Sequence, residues 1–281
     1  MIKAIFFDID GTLMNTQGKV LPSTKKAIKQ AQANGILCGI ATGRGPKNVN
    51  SIVSELELDM FITYNGQFVY TKEQVLYARP FEKPVLKKII DYANEQSRQM
   101  ILGGREKTEG SLTMRIGESS FVRRLIRFMP ASFPIRWMKN MLQRYSPNRR
   151  VNRYAKLSLA DQPIYQCIML SAEYEAERLR QALPECDFQR SNPYTVDIVP
   201  KGGSKLRGIQ FFMAHHGWTL SEAMVFGDHM NDVEMIAGVG VGVAMGNGLE
   251  GTKAVADYIT ATNDDDGIAK ALAHFDLIEG E

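Results

Sequence analysis

The chain has 281 residues, 44% of them hydrophobic and 23% charged, which is the composition of a globular protein long enough for one large or two ordinary domains. A formal net charge of +3 is too small to demand a nucleic-acid partner, and no apolar run approaches the roughly 18 residues of a membrane span, so neither nucleic acid nor membrane is expected as a partner. Three widely spaced cysteines, Cys38, Cys167 and Cys186, argue against a disulfide framework, and no signal-peptide pattern follows Met1, so a reducing, cytoplasmic location is expected.

Taken in chain order, the pattern alternates strand and helix. Residues 5–7 are a short apolar strand. Residues 22–34 read as a helix, with Pro22 at its start, Ile28 and Ala31 on one face and Gly35 just past its end. Residues 36–41 form a continuous apolar run, as in a strand buried on both faces. A glycine-rich loop then leads to a helix over 47–56 and a strand over 60–64. Asn65-Gly66 signals a hairpin, with 67–70 and 75–77 antiparallel.

The character changes near residue 80. A helix carrying Val85, Leu86, Ile89, Ile90 and Ala93 on one face precedes a basic stretch, 115–153, with ten Lys or Arg against one acid, Glu118. That stretch is expected to pack as core or as an oligomer contact with solvated arginines; drawing in an anionic substrate and lying as a basic amphipathic helix on a membrane surface are the alternatives. A strand over 164–170, a helix over 173–183 and a strand over 195–199 follow. Alternation then resumes, with helices over 206–216 and 233–237 and strands over 224–226 and 241–245. The expected fold is α/β: a Rossmann-like parallel-sheet core from residues 1–79 and 199–281, interrupted by an inserted α/β domain over 80–198.

Four motifs fall at the joints of this pattern. Asp8-x-Asp10-Gly11-Thr12 follows the first strand, and period-two alternation predicts both carboxylates on one side of it. The carboxyl end of a parallel strand is where open α/β sheets bind ligands, and like charges held so close need a cation or a shared proton. Thr42-Gly43-Arg44 follows the second strand, where a hydroxyl and backbone N–H groups make either a phosphate cradle or a plain turn. The run from Lys201 to Lys205 opens a helix on a lysine after Gly202, Gly203 and Ser204, without the spacing of a P-loop. Gly227-Asp228-His229-Met230-Asn231-Asp232 puts two acids four apart at another strand end, a spacing able to hold a hard cation.

Each motif alone is modest, but their order, with Tyr64-Asn65-Gly66 and Val243-Ala244-Met245-Gly246-Asn247, resembles the haloacid dehalogenase superfamily of phosphatases, and most closely its Cof-type subfamily, subclass IIB. The resemblance implies an inserted cap that chooses the substrate, a Mg²⁺ cofactor and an aspartyl-phosphate intermediate. It implies Asp8 as nucleophile and Asp10 as general acid and base, with Thr42 and Lys205 on the phosphoryl oxygens. It further implies Asp8, Asp10 (through its carbonyl), Asp228 and Asp232 around the metal, and Thr42, Gly43, Arg44, Asn65, Asn231 and Lys205 around the substrate. The expected activity is hydrolysis of a small phosphorylated metabolite, a sugar phosphate or a phosphorylated cofactor. A phosphomutase with the same intermediate and a phosphate-sensing regulator remain open, and so does the oligomeric state.

Overall fold

A computed structural model describes residues 1–53, 55–110 and 162–279, so the basic stretch 115–153 lies outside the described residues. The chain divides into two compact units, one of Met1–Ala78 with Gly203–Glu281 and one of Arg79–Gly202. Among the described residues no helix is long and apolar enough to cross a membrane.

The first unit begins with β1 (Ala4–Phe7), α1 (Pro22–Ala33), β2 (Leu37–Ala41), α2 (Pro46–Val53), β3 (Met60–Thr63), β4 (Phe68–Thr71) and β5 (Val75–Ala78). The second unit contains α3 (Lys83–Glu95), β6 (Met100–Gly104), β7 (Thr108–Gly110), β8 (Ile164–Leu170), α4 (Ala176–Ala182), β9 (Cys186–Gln189) and β10 (Thr195–Pro200). The chain then returns to the first unit with α5 (Lys205–His215), β11 (Ala223–Gly227), α6 (Val233–Gly238), β12 (Val241–Ala244), α7 (Glu250–Lys253), β13 (Tyr258–Ile259) and α8 (Gly267–His274).

Eight strands of the first unit form one sheet in the order β13-β12-β11-β1-β2-β3-β4-β5. The pairs from β13 to β3 are parallel, and β4 and β5 add an antiparallel edge. This is the Rossmann-like core expected from the alternation. Burial on both faces explains the continuous apolar strands. Ile5 and Phe7 of β1 pack on one face with Ala27 and Ile28 of α1 and Ile268 and Leu272 of α8. Ala4 and Phe6 pack on the other with Ile209, Phe212 and Met213 of α5. Phe6 meets Phe212 edge-on at 5.7 Å between ring centres. Each fully buried phenylalanine of this kind contributes roughly 1.5–3 kcal/mol.

The second unit is built on an antiparallel sheet in the order β7-β6-β8-β10-β9. Leu86, Ile89, Ile90 and Ala93 of α3 form its core with Met100, Cys167, Val196 and Ile198, as the apolar stripe of that helix predicts. Arg98 and Glu175 are buried here as an ion pair, with Arg98 Nη1 and Nη2 donating to the carboxylate at 2.8 and 2.6 Å. The helix expected over 173–183 is a 3₁₀ turn, Glu173–Glu175, running into α4. The strand β6 escapes the sequence pattern because its five residues end in Gly103-Gly104 and are defined by pairing with β8, some sixty residues on.

Candidate active site

The strands β11, β1 and β2 are parallel neighbours, so their carboxyl ends share one edge of the sheet. Asp228, Asp8 and Thr42 are the residues that follow them. Two of these positions carry the ladder a step further: Asp8 N donates to Phe226 O at 3.0 Å and Thr42 N to Ile62 O at 2.9 Å. Asp8 therefore keeps the alternation of β1 and turns to the face of Phe6, the face covered by α5. Lys205 is the first residue of α5, and Ser204 caps that helix by accepting from Arg207 N at 3.2 Å. Gly66, at φ +86°, lets the hairpin lie against the start of α5: a Cβ there would meet Ser204 O at 2.0 Å.

Lys205 Nζ donates to Asp8 Oδ1 and to Asp232 Oδ1, both at 2.6 Å. Asp8, Asp228 and Asp232 are 6%, 4% and 0% exposed. One carboxylate oxygen from each lies within 4.8 Å of the others. One ammonium thus faces three buried carboxylates. Burial pushes the Asp8 carboxyl up to about 7; Lys205 opposes the rise, and Asp232 and Asp10 add to it. Burial works against the Lys205 ammonium as well, but Asp232 and Asp8 outweigh it and hold its pKa above the usual lysine value. An all-oxygen, anionic donor set with too little positive charge fits a hard divalent cation such as Mg²⁺.

Asp232 is also the strut of its loop. Its Oδ2 accepts from Asp228 N and His229 N, both at 3.0 Å. Gly227 permits this fold-back, since a Cβ there would sit 2.5 Å from the Asp232 Cβ. Asn231 is half-buried in the turn Met230–Asp232 of the same loop. Thr12, the last residue of the first motif, donates from Oγ1 to Asp228 Oδ1 at 3.3 Å.

The period-two reading does not carry to Asp10. β1 ends at Phe7, and the Asp10 carboxylate is exposed and gripped by Arg44, whose Nε and Nη2 donate to its two oxygens at 2.7 and 2.6 Å. Arg44, Thr42 and Asn65 are drawn together by backbone. Tyr64 N donates to Arg44 O at 3.1 Å and Asn65 N to Thr42 O at 3.0 Å, while Thr42 Oγ1 accepts from Arg44 N at 3.2 Å. Gly43 links the two cradle residues. Tyr64 and Asn65 both hold left-handed backbone, at φ 52° and 50°, a strained turn that the neighbouring loop sustains.

A set of contacts that the motifs did not announce binds the loop after Asp10. Asn247 Nδ2 donates to Gly11 O at 2.8 Å, and Asn263 Nδ2 donates to Met14 O at 2.7 Å. Asp264 Oδ1 accepts from Thr16 N and Thr16 Oγ1, both at 3.0 Å, and Asp266 Oδ1 accepts from Ser23 Oγ at 2.5 Å. The acidic run 264–266 reads from sequence as a helix cap. Asp266 does occupy the N-cap of α8 but makes no side-chain capping bond; Asp264 is spent on Thr16 of the loop and Asp266 on Ser23 in the first turn of α1. Asn247 stood in a motif of the resemblance, which was its only sequence signal.

Comparison with known proteins shows the family of the chain. A family profile described as haloacid dehalogenase-like hydrolase matches residues 5–272. A putative phosphatase, YkrA of Bacillus subtilis, is 31% identical over 277 residues, 99% of each chain. The 5-amino-6-(5-phospho-D-ribitylamino)uracil phosphatase YcsE of the same organism is 28% identical, with 98% of this chain and 96% of the relative covered. A solved structure of a HAD subclass IIB sugar phosphatase superposes with a TM-score of 0.80 at 30% identity, covering 98% of this chain and all of the other.

Proposed function

The chain belongs to the haloacid dehalogenase-like hydrolases, relatives along its whole length are named phosphatases, and from that premise we propose that it is a Mg²⁺-dependent phosphatase that hydrolyses a small phosphorylated metabolite through an aspartyl-phosphate on Asp8. The observation that carries the reading is Asp8 itself: a buried carboxylate at the end of the central strand, bonded to Lys205 and faced by Asp228 and Asp232. A carboxylate is a poor nucleophile toward a phosphate dianion because anions repel. Lys205 offsets that repulsion and the charge that grows on the phosphoryl oxygens. Thr42, with the backbone of Gly43 and Arg44, holds those oxygens, and Asn65 and Asn231 line their pocket.

Asp8 attacks phosphorus and the ester P–O bond breaks, with Asp10 giving the leaving oxygen its proton. Asp10 then takes a proton from water, which attacks the aspartyl-phosphate and frees Asp8 and inorganic phosphate. Asp8, Asp228 and the Asp10 carbonyl, with Asp232 in support, would hold a divalent cation, which would supply positive charge to offset the repulsion between carboxylate and phosphate. Substrate choice is assigned to the unit Arg79–Gly202, as a cap domain. A sugar phosphate is the leading substrate class, supported by the sugar phosphatase among the structural relatives. A phosphorylated cofactor or its precursor comes next, supported by the ribitylaminouracil phosphatase.

The test is phosphate release from a panel of phosphorylated metabolites, with Mg²⁺, by the native enzyme and by Asp8→Asn. The native enzyme turns over at least one sugar or cofactor phosphate, and the variant falls to background. An Asp8→Asn enzyme that keeps a substantial part of the turnover overturns covalent catalysis at Asp8.

A further inference from the structure

Asp10 must meet the leaving oxygen, yet nothing in β1 holds it. The strand ends at Phe7, and the loop beyond it turns through Leu13 N to Asp8 O at 3.1 Å and Met14 N to Ile9 O at 3.0 Å. Beyond the contacts of Thr12 with Asp228 and of Thr16 with Asp264, a pair of primary amides from later in the chain takes hold of the loop backbone. Asn247 Nδ2 takes the carbonyl of Gly11, the residue next to Asp10, and Asn263 Nδ2 takes the carbonyl of Met14. The two amides are wired to each other, since Asn247 Oδ1 accepts from Asn263 N at 2.9 Å. Asn263 is 6% exposed, so its bond competes little with water. The base of the clamp is itself fixed: Gly246 N donates to Ala261 O at 3.0 Å.

We propose that Asn247 and Asn263 are positioning residues for Asp10, a clamp that sets where the general acid stands while leaving the nucleophile alone. This rests on the roles given above to Asp8 and Asp10. The separation follows from how each aspartate is held. The Asp8 carboxylate is held by Lys205 and the Asp8 N–H by the sheet ladder, neither of which the clamp touches; the loop reaches Asp8 only through Leu13 N on its backbone carbonyl. Asp10 is fixed by Arg44 and by the loop backbone on which the clamp acts. A general acid works only within about 2.6–3.2 Å of the atom it protonates, and a 1 Å misplacement costs on the order of a hundredfold. Loosening the clamp therefore slows the departure of groups that need a proton and spares attack by Asp8.

The experiment compares kcat/KM for two aryl phosphates with Mg²⁺: 4-nitrophenyl phosphate, whose phenolate leaves without a proton, and phenyl phosphate, whose leaving group needs one. kcat/KM reports steps up to release of the phenol, so hydrolysis of the aspartyl-phosphate does not mask the difference. Asn247→Ala and Asn263→Ala are expected to lose about 10-fold or more on phenyl phosphate and less than about 3-fold on the nitrophenyl ester. Asn247→Asp keeps the size and the acceptor to Asn263 but removes the donor to Gly11; it shows the same split and guards against a folding defect in the alanine variants. In an Asp10→Asn background, Asn247→Ala adds less than about 2-fold on phenyl phosphate, because the group it positions is gone. Equal losses on both esters, no loss on either, or full additivity with Asp10→Asn overturns the clamp. Asp8→Asn and Asp10→Asn alone separate the two levels of the argument. If Asp8→Asn stays active, or Asp10→Asn shows no leaving-group preference, the site reading fails and takes this inference with it. If both behave as assigned and the amide variants do not, only the clamp falls.

Discussion

Asp8 and Lys205 are 197 residues apart in the chain, and Lys205 Nζ donates to Asp8 Oδ1 at 2.6 Å. The contact joins the end of the central strand to the start of the helix that covers one face of the sheet. Each partner justifies the burial of the other: a lysine this enclosed would shed its proton without carboxylates, and Asp8 and Asp232 lose their compensating cation without it.

Lys205→Met is thus expected to harm both stability and turnover. Removing one partner of a buried charged group costs about 3–5 kcal/mol. Losing the cation beside the phosphoryl group lowers kcat/KM by about 100-fold or more. Urea unfolding and phosphate-release kinetics measure the two. A variant as stable and as active as the native enzyme would show that Lys205 is a bystander.

Divalent cation should stabilise the folded state through the acidic trio. In metal-stripped protein, Mg²⁺ at about a hundred times its Kd adds about 2.7 kcal/mol of stability by mass action, seen as a rise in Tm. Asp228→Ala removes that rise, and EDTA abolishes turnover of the native enzyme. A Tm indifferent to Mg²⁺ and full activity in EDTA would contradict a metal at Asp8, Asp228 and Asp232.

Arg44→Lys tests the grip on Asp10. A lysine keeps the charge but presents no planar fork, so the paired bonds from Nε and Nη2 are lost. Hydrogen bonds to charged groups contribute about 1.5–3 kcal/mol, which corresponds to a fall in kcat/KM of about 10-fold to 100-fold. Steady-state kinetics on one ester suffice, and an unchanged kcat/KM would remove Arg44 from the working site.

The three thiols are expected to be silent in the native protein. Cys38, Cys167 and Cys186 are buried, and burial raises all three above the usual cysteine value, Cys186 to about 12. A raised pKa keeps the thiol protonated, so the reactive thiolate is scarce at pH 8 and becomes available only on unfolding. A disulfide reagent such as Ellman's should label none of them at pH 8 under native conditions and all three in denaturant. Rapid native labelling would be evidence of local opening around the labelled cysteine.

The parts of the site legible in the sequence are those where chemistry and local pattern coincide. Asp8 follows an unbroken apolar run, Thr42 follows another, and Lys205 follows Gly-Gly-Ser at a helix start, so neighbouring residues announce both the element and its end. The orientation of Asp10 was not legible, because alternation predicts side chains only while the strand lasts, and β1 ends at Phe7. The contact of Asn247 with Gly11 spans 236 residues and leaves no periodic trace. The same reason hid β6, a short glycine-ended strand that exists through its partner β8. Local signals locate the ends of strands; what reaches across between those ends belongs to the tertiary fold.

Because β1 lies between β2 and β11, the middle of the parallel sheet is shared by opposite ends of the chain. On the ribosome, β1 and β2 emerge early, but the other hydrogen-bonding edge of β1 waits for Ala223–Gly227. At about 5–20 residues per second that wait is on the order of ten to forty seconds. Through that interval the nascent chain carries an unpaired, fully apolar strand edge, the kind of surface that chaperones and neighbouring chains seize. The intervening residues Arg79–Gly202 are contiguous and meet no such delay. The insertion thus gives the polypeptide an order of assembly in which the interrupting unit is complete before the one it interrupts, and catalytic competence waits for the segment from Ala223 onward.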